Sequence, residues 1–341
     1  MGLDLKPLVE PRQIKLEELA NRVIAVDAYN AIYQFLAIIR GQQGEHLTDS
    51  SGKVTSHLSG LFYRNVNLLS MGIKPVYVFD GKPPSLKFVE IERRKQVKQE
   101  ATVKYEKALK EGRMEDARKY AQFTSVIQDY MIDDSKKLLD SLGIPYIDAP
   151  SEGEATAASL TISETAYASA SQDFDSLLFG ARRLIRNLTV SGRRKLPNKQ
   201  VFINVEPEMI TLDQTLQALG VSREQLVDIG ILIGTDFNPD GFKGIGPKKA
   251  LKMIKESGKL ENVSDVKEQL NEIDYKKIRD IFLKPDVVSV ENLEFRDHDT
   301  NRIIQFLCRE RNFSEDRVTS ALQKLKKSID TRSQTLEQWF G

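Results

Sequence analysis

Short apolar runs that end on acids alternate with longer stretches of helical periodicity in the first half of this chain. Val23 to Val26 runs into Asp27, Pro75 to Phe79 into Asp80, IPYIDAPSEGE (144–154) into Glu152 and Glu154, and AYASASQDFD (166–175) into Asp173 and Asp175. Such runs predict strands buried on both faces, and their alternation with helices predicts an α/β fold with a mostly parallel central sheet flanked by helices. Ligands of such sheets bind beyond the carboxyl ends of the strands, where these acids would lie. LIRNLTV (184–190) and QVFINV (200–205), separated by a polar turn, predict a hairpin at the sheet edge.

The rest of the pattern is helical. Between Asp80 and the third strand, residues 85–131 form a polar insertion rich in helix formers, lysine and arginine, with too few apolar positions for a core of its own. A solvated charged helix with pairs such as Glu90 and Arg94 accounts for it; so does a mobile basic element that meets phosphates. Later, SREQLVDIGILIGTDFN (222–238) carries a capping pair, Ser222 and Gln225, and places Asp236 just past its helix. GFKGIGPKKALKMI (241–254) then offers Gly244 and Gly246 for a tight turn, Pro247 to open a helix, and free amides beside Lys248 and Lys249. That is a phosphate-backbone grip of the helix-hairpin-helix type, or simply a turn with lysines. The chain is read as one domain over 1–328, with the insertion at 85–131 and the hairpin region at 215–280 inside it. A flexible tail at 329–341 carries Leu336, Trp339 and Phe340, as a docking peptide does.

The acids carry the candidate chemistry. In Asp173/Asp175 the i, i+2 spacing aims both side chains one way on an extended backbone. In Glu152/Glu154 the same spacing on a helix separates the side chains by about 200°, so they share a target only around an open helix N-terminus. Ser151 with Glu154 also matches a capping box, a purely structural explanation. Acids at the ends of two further strands and at Asp236 favour a shared metal site over separate caps.

Composition narrows the metal. One cysteine, Cys308, and three scattered histidines leave no zinc cluster, so the site is oxygen-rich and suits Mg²⁺ or Mn²⁺. Net charge is +1 from 50 basic and 49 acidic residues. Setting seven acids aside in one site leaves the remaining surface at about +8, an exterior suited to a phosphodiester substrate. No signal peptide or long apolar run is seen, which suggests an intracellular, soluble protein.

VDAYNAIYQF, VFDGKPPSLK, APSEGEATAA, SQDFDSL, IGTDFN and GIGPKKA, in this order, resemble the flap endonucleases, structure-specific 5′ nucleases of DNA replication and repair, most like an archaeal member. The resemblance spans nearly the whole chain. It implies a PIN-like nuclease fold with a helical arch. It also implies two Mg²⁺ ions held by Asp27, Asp80, Glu152, Glu154, Asp173, Asp175 and Asp236, with Lys87 and Arg94 at the foot of the arch approaching the scissile phosphate. By the same resemblance Tyr33 stacks on a neighbouring base, and Gly2 becomes the N-terminal residue near the site. Gly244 to Gly246 then hold duplex DNA and a K⁺ ion, and Arg311 and Arg317 recognise a one-nucleotide 3′ flap. Leu336, Trp339 and Phe340 keep the spacing of a sliding-clamp peptide, although Ser333 stands where that peptide has glutamine and Gln334 is displaced by one.

The function expected is 5′ flap cleavage in Okazaki-fragment maturation and repair, with 5′-3′ exonuclease activity, by a monomer. Two-metal hydrolysis would give a 3′-hydroxyl and a 5′-phosphate without a covalent intermediate. Two other readings differ in kind. DFDSL superficially resembles an aspartyl-nucleophile phosphatase, which needs one catalytic aspartate rather than acids on four strands. A non-catalytic, clamp-tethered DNA scaffold would not need all seven.

Overall fold

The computed structural model describes residues 3–190, 192–195 and 202–340, with the backbone alone for 192–195, 202–204 and 333–340. Seven strands form one mixed sheet, in the order β1 (Arg12–Gln13), β9 (Glu208–Thr211), β6 (Arg183–Arg186), β5 (Ala168–Ala170), β2 (Val23–Asp27), β3 (Lys74–Phe79) and β4 (Tyr146–Asp148). From β6 to β4 every pairing is parallel, and β9 runs antiparallel to β6 and to β1. The chain leaves β2 toward β3 and β4, then crosses back to lay β5 on the other side of β2. Such a reversal opens a crevice at the carboxyl end of the central strand, which is where Asp27 sits.

Burial on both faces explains the unbroken apolar runs. On β2, Ile24 and Val26 face one core and Ala25 the opposite one; on β3, Tyr77 and Phe79 alternate in the same way with Val76 and Val78. The first core is closed by α1 (Ala28–Ile38), α2 (Ser56–Ser70) and α5 (Asp129–Ser141). A second core gathers α6 (Gly153–Ile162), α7 (Asp175–Leu178), α9 (Arg223–Ile233), α10 (Pro247–Ser257) and α12 (Tyr275–Leu283). Short helices α8 (Leu212–Leu219), α11 (Lys267–Leu270) and α13 (Thr300–Ile304) bridge these elements. No described helix is long and apolar enough to cross a membrane.

The insertion folds into a long helix, α3 (Phe88–Lys110), and a short one, α4 (Met114–Ala121), which lie against each other. Ala101, Ala108, Ala117 and Ala121 of these helices are buried while Val97 and Val103 remain exposed. The scarcity of large apolar residues is thus met by buried alanines.

Two expectations are corrected. LIRNLTV does not form half of an edge hairpin: Leu184 and Ile185 are fully buried, and Arg183–Arg186 is a strand inside the main sheet, between β5 and β9. The hairpin is made one segment later by β7 (Gly192–Lys195) and β8 (Phe202–Val205), as a separate two-stranded sheet. Ser151 does not cap α6. Glu152 is the N-cap residue and makes no side-chain cap bond; the first helical amide, Gly153 N–H, is instead taken by Asp80 Oδ1 at 2.6 Å. The last helix, α14, runs Glu315–Phe340.

Candidate metal centre and nucleic-acid interface

Each acid is delivered by a different local device. Asp27 ends β2 and caps α1, accepting from Asn30 N–H at 3.0 Å. Asp80 follows β3 and caps α6 across the crevice, an approach that Gly153 permits because a Cβ there would meet Asp80 Oδ1 at 2.6 Å. Glu152 and Glu154 flank the start of α6, so the i, i+2 pair does share the space around an open helix end. Asp173 follows β5, and its carboxylate accepts from Asn30 Nδ2 at 2.9 Å. Asp175 opens α7. Asp236 lies past Gly234, whose φ of 115° turns the chain out of α9.

These seven acids line one cavity of about 690 Å³, together with Lys87, Arg94 and Tyr33. Lys87 Nζ pairs with Glu152 and lies 3.5 Å from Asp236 Oδ2. Arg94 reaches Asp236 Oδ1 at 2.5 Å. Burial would lower the Lys87 ammonium, but Glu152, Asp236 and Asp80 outweigh it and hold its pKa above the ordinary lysine range. Arg94 is steadied from behind by Glu90, a 1 % exposed carboxylate on α3 that accepts from Arg94 Nε and Arg93 Nε at 2.7 Å each. Arg93 in turn reaches Asp240 Oδ1 at 2.9 Å.

Lys87 and Arg94 do not neutralise all seven carboxylates. Burial first, then Asp236 and Asp173, push the Asp175 carboxyl well above its usual range, and burial with Asp175 and Asp27 does the same to Glu154. Asp27 and Asp173 are raised in the same direction, again chiefly by burial. Asp175 Oδ1 is buried with no hydrogen-bond partner. Buried, mutually repelling carboxylates with an orphaned oxygen are what a hard divalent cation would neutralise. No three of the described His, Cys, Asp or Glu side chains already stand in a closed ligand set. Lys87 and Arg94 pair with Glu152 and Asp236 instead.

The hairpin lies outside this cavity. Ile245 is buried in the second core while Gly244, with φ of 77°, and Gly246 on either side are exposed, and a Cβ on either glycine would meet nothing within 4 Å. Lys248 and Lys249 are exposed in the first turn of α10, which Pro247 opens. The expected Ser222–Gln225 capping box is present, with Ser222 N–H donating to Gln225 Oε1 at 2.9 Å.

Other expected residues are placed elsewhere. Arg311 makes a two-pronged pair with Asp134 at 2.8 and 2.9 Å, next to Asp49, and Arg317 is exposed on α14; neither lines the carboxylate cavity. Gly2 lies outside the described residues, as do the side chains of Leu336, Trp339 and Phe340. Asn30 and Glu90 escaped the sequence reading. Asn30 could have been found as the third residue of the helix that Asp27 caps; Glu90 looked like one half of an ordinary surface pair.

A mostly parallel sheet with acids at its strand ends, a cationic insertion and a glycine hairpin defines an XPG-type nuclease, and the chain matches the XPG N-terminal domain over residues 1–101 and the XPG I-region over 143–236. It is 62% identical to flap endonuclease 1 of Nitrosopumilus maritimus over all of both chains, and 50% identical to that of Pyrococcus horikoshii over all of this chain and 98% of the other. Flap endonuclease-1 from Methanococcus jannaschii superposes with a TM-score of 0.75 at 36% identity, covering 97% of this chain and 100% of that one. The catalytic core of Rad2 in complex with DNA substrate gives 0.69 at 26% identity, covering 94% and 97%. The chain belongs to the flap endonuclease 1 family.

Proposed function

We propose that this protein is a Mg²⁺-dependent, structure-specific 5′ flap endonuclease with 5′-3′ exonuclease activity, working in Okazaki-fragment maturation and repair. The observation that carries the reading is the cavity into which all seven carboxylates converge, with Lys87 and Arg94 inside it. Asp27, Asp80, Glu152, Glu154, Asp173, Asp175 and Asp236 are the residues that would hold two Mg²⁺ ions, with Mn²⁺ as a substitute. Bound there, the ions would supply an activated water and charge stabilisation at the leaving 3′ oxygen.

The chain's own residues do the rest. Lys87 and Arg94 present positive charge toward the cavity, where a phosphodiester gains negative charge as it is attacked. Asn30 fixes the orientation of Asp27 and Asp173. Tyr33, 36 % exposed at the cavity wall, offers a ring to a base unpaired from the duplex end. Bare backbone at Gly244 and Gly246 suits the approach of a duplex phosphate, with a K⁺ ion as a further occupant and Lys248 and Lys249 as flanking charges. Arg311 would need to leave Asp134, or work through it, to meet a 3′ flap with Arg317. Leu336, Trp339 and Phe340 would dock on a sliding clamp, and Gly2 would stand near the site. The protein works as a soluble, intracellular monomer in this reading.

The test is cleavage of a 5′-labelled double-flap DNA in Mg²⁺, compared with single strand, duplex and the Asp173→Ala variant. Preferential cutting of the flap that disappears in the variant is expected. Equal cutting of single strand and flap would overturn structure specificity, and binding without cutting would favour a scaffold.

A further inference from the structure

A second cavity, about 560 Å³, adjoins the carboxylate site and shares Asn30, Tyr33, Arg94 and Lys98 with it. Phe123 and Val97 of the arch are among its lining residues. Phe123 is 57% exposed, whereas the residues of α4 that pack, Ala117 and Ala121, are buried. The ring therefore contributes little to the fold. Its backbone is nevertheless fixed. Phe123 N–H donates to Tyr120 O at 3.0 Å, and the neighbouring Ser125, 4 % exposed, accepts from Arg40 Nη2 at 2.8 Å. Arg40 Nε also donates to Leu36 O on α1 at 3.0 Å, so the segment is tied to the helix that carries Tyr33.

We infer that this cavity is a nucleobase-binding site in which Phe123 is a stacking residue for a nucleotide close to the scissile phosphate. The inference rests on the flap endonuclease reading and adds a residue to its substrate contacts. Aromatic and aliphatic walls beside guanidinium and ammonium groups suit a base carrying its phosphate, and stacking serves any base because each has a π-face. Gln122 and Gln172 on the lining are able to pair with base edges.

The full-length protein is tested by single-turnover cleavage of a double-flap DNA in Mg²⁺, using the parent, Phe123→Ala and Phe123→Trp, and abasic substitutions at each of three positions on either side of the scissile phosphate. Phe123→Ala is expected to slow cleavage roughly ten-fold or more, and Phe123→Trp to restore most of the rate. One abasic position should slow the parent by a similar factor yet leave Phe123→Ala no slower; a position whose penalty persists in that variant belongs to Tyr33. If Phe123→Ala cuts as fast as the parent, or every abasic penalty is the same in both proteins, the inference fails while the flap endonuclease reading stands. Should the alanine variant unfold, the abasic scan decides between Phe123→Trp and Phe123→Leu, and equal penalties in those two overturn the assignment. A parent protein that cuts no flap at all rejects the underlying reading instead.

Discussion

Asp27→Asn separates the metal-holding role proposed for the carboxylate from its effect on stability. Asparagine caps a helix as well as aspartate does, so the bond to Asn30 N–H and the start of α1 are kept while one charge is removed. In the folded, metal-free protein burial and Asp80 push the Asp27 carboxyl up to about 8 from 3.8. An acid with a raised folded pKa is protonated in the fold and ionised in the unfolded chain between those two values. Its presence therefore costs stability progressively as pH rises through that window, and costs nothing extra below about 3.8 or beyond about 8. At pH 7 the window spans about three pH units, at about 1.36 kcal/mol each, giving ~4 kcal/mol as an upper limit. Neighbouring carboxylates share the proton, and about 2 kcal/mol is the expected gain. In chelator, urea unfolding of Asp27→Asn should show this gain at pH 7 and little of it at pH 4. Added Mg²⁺ should stabilise the parent far more than the variant, and the variant should lose cleavage. A variant no more stable than the parent at pH 7 in chelator, or one whose gain is the same at pH 4, would refute the reasoning.

Two further outcomes are expected. Glu90→Gln removes the charge that steadies Arg94 behind the cavity, and single-turnover cleavage should fall roughly ten-fold, about 1.4 kcal/mol, with the affinity for duplex DNA unchanged. Arg279→Leu leaves Asp228, 1 % exposed and bonded to Arg279 Nε at 2.8 Å, without its cation; chemical denaturation should show a loss of about 3–5 kcal/mol, with the flap preference of the folded fraction intact.

The parts legible in the sequence are those where local pattern and tertiary role coincide. Val23–Val26 and Pro75–Phe79 could be read as strands because burial on both faces leaves no polar position, and Asp27 and Asp80 could be read as site residues because they interrupt such runs. The hairpin was legible as Gly244 and Gly246 around an apolar residue that needs a core. What failed depended on distant partners. LIR reads equally well as a hairpin arm and as an interior strand, and the choice falls to β5 and β9, which flank it in the sheet. Ser151 and Glu154 have the spacing of a cap, yet Asp80, 73 residues away, takes the amide. Arg311 carries a free charge in the sequence and a bidentate partner 177 residues away in the fold. Phe123 gave only the faint signal of an aromatic residue at the end of a charged insertion.

The turn at Ile245 has a consequence for what kind of information this family member is built to ignore. A single side chain points inward as an anchor, and on either side of it the chain shows only peptide groups to the outside. A surface without side chains has no alphabet: it can measure the spacing and curvature of a backbone but cannot tell one letter from another. In the proposed reading, a duplex held there is held without regard to its sequence, and the choice of cutting position is left to the shape of the junction.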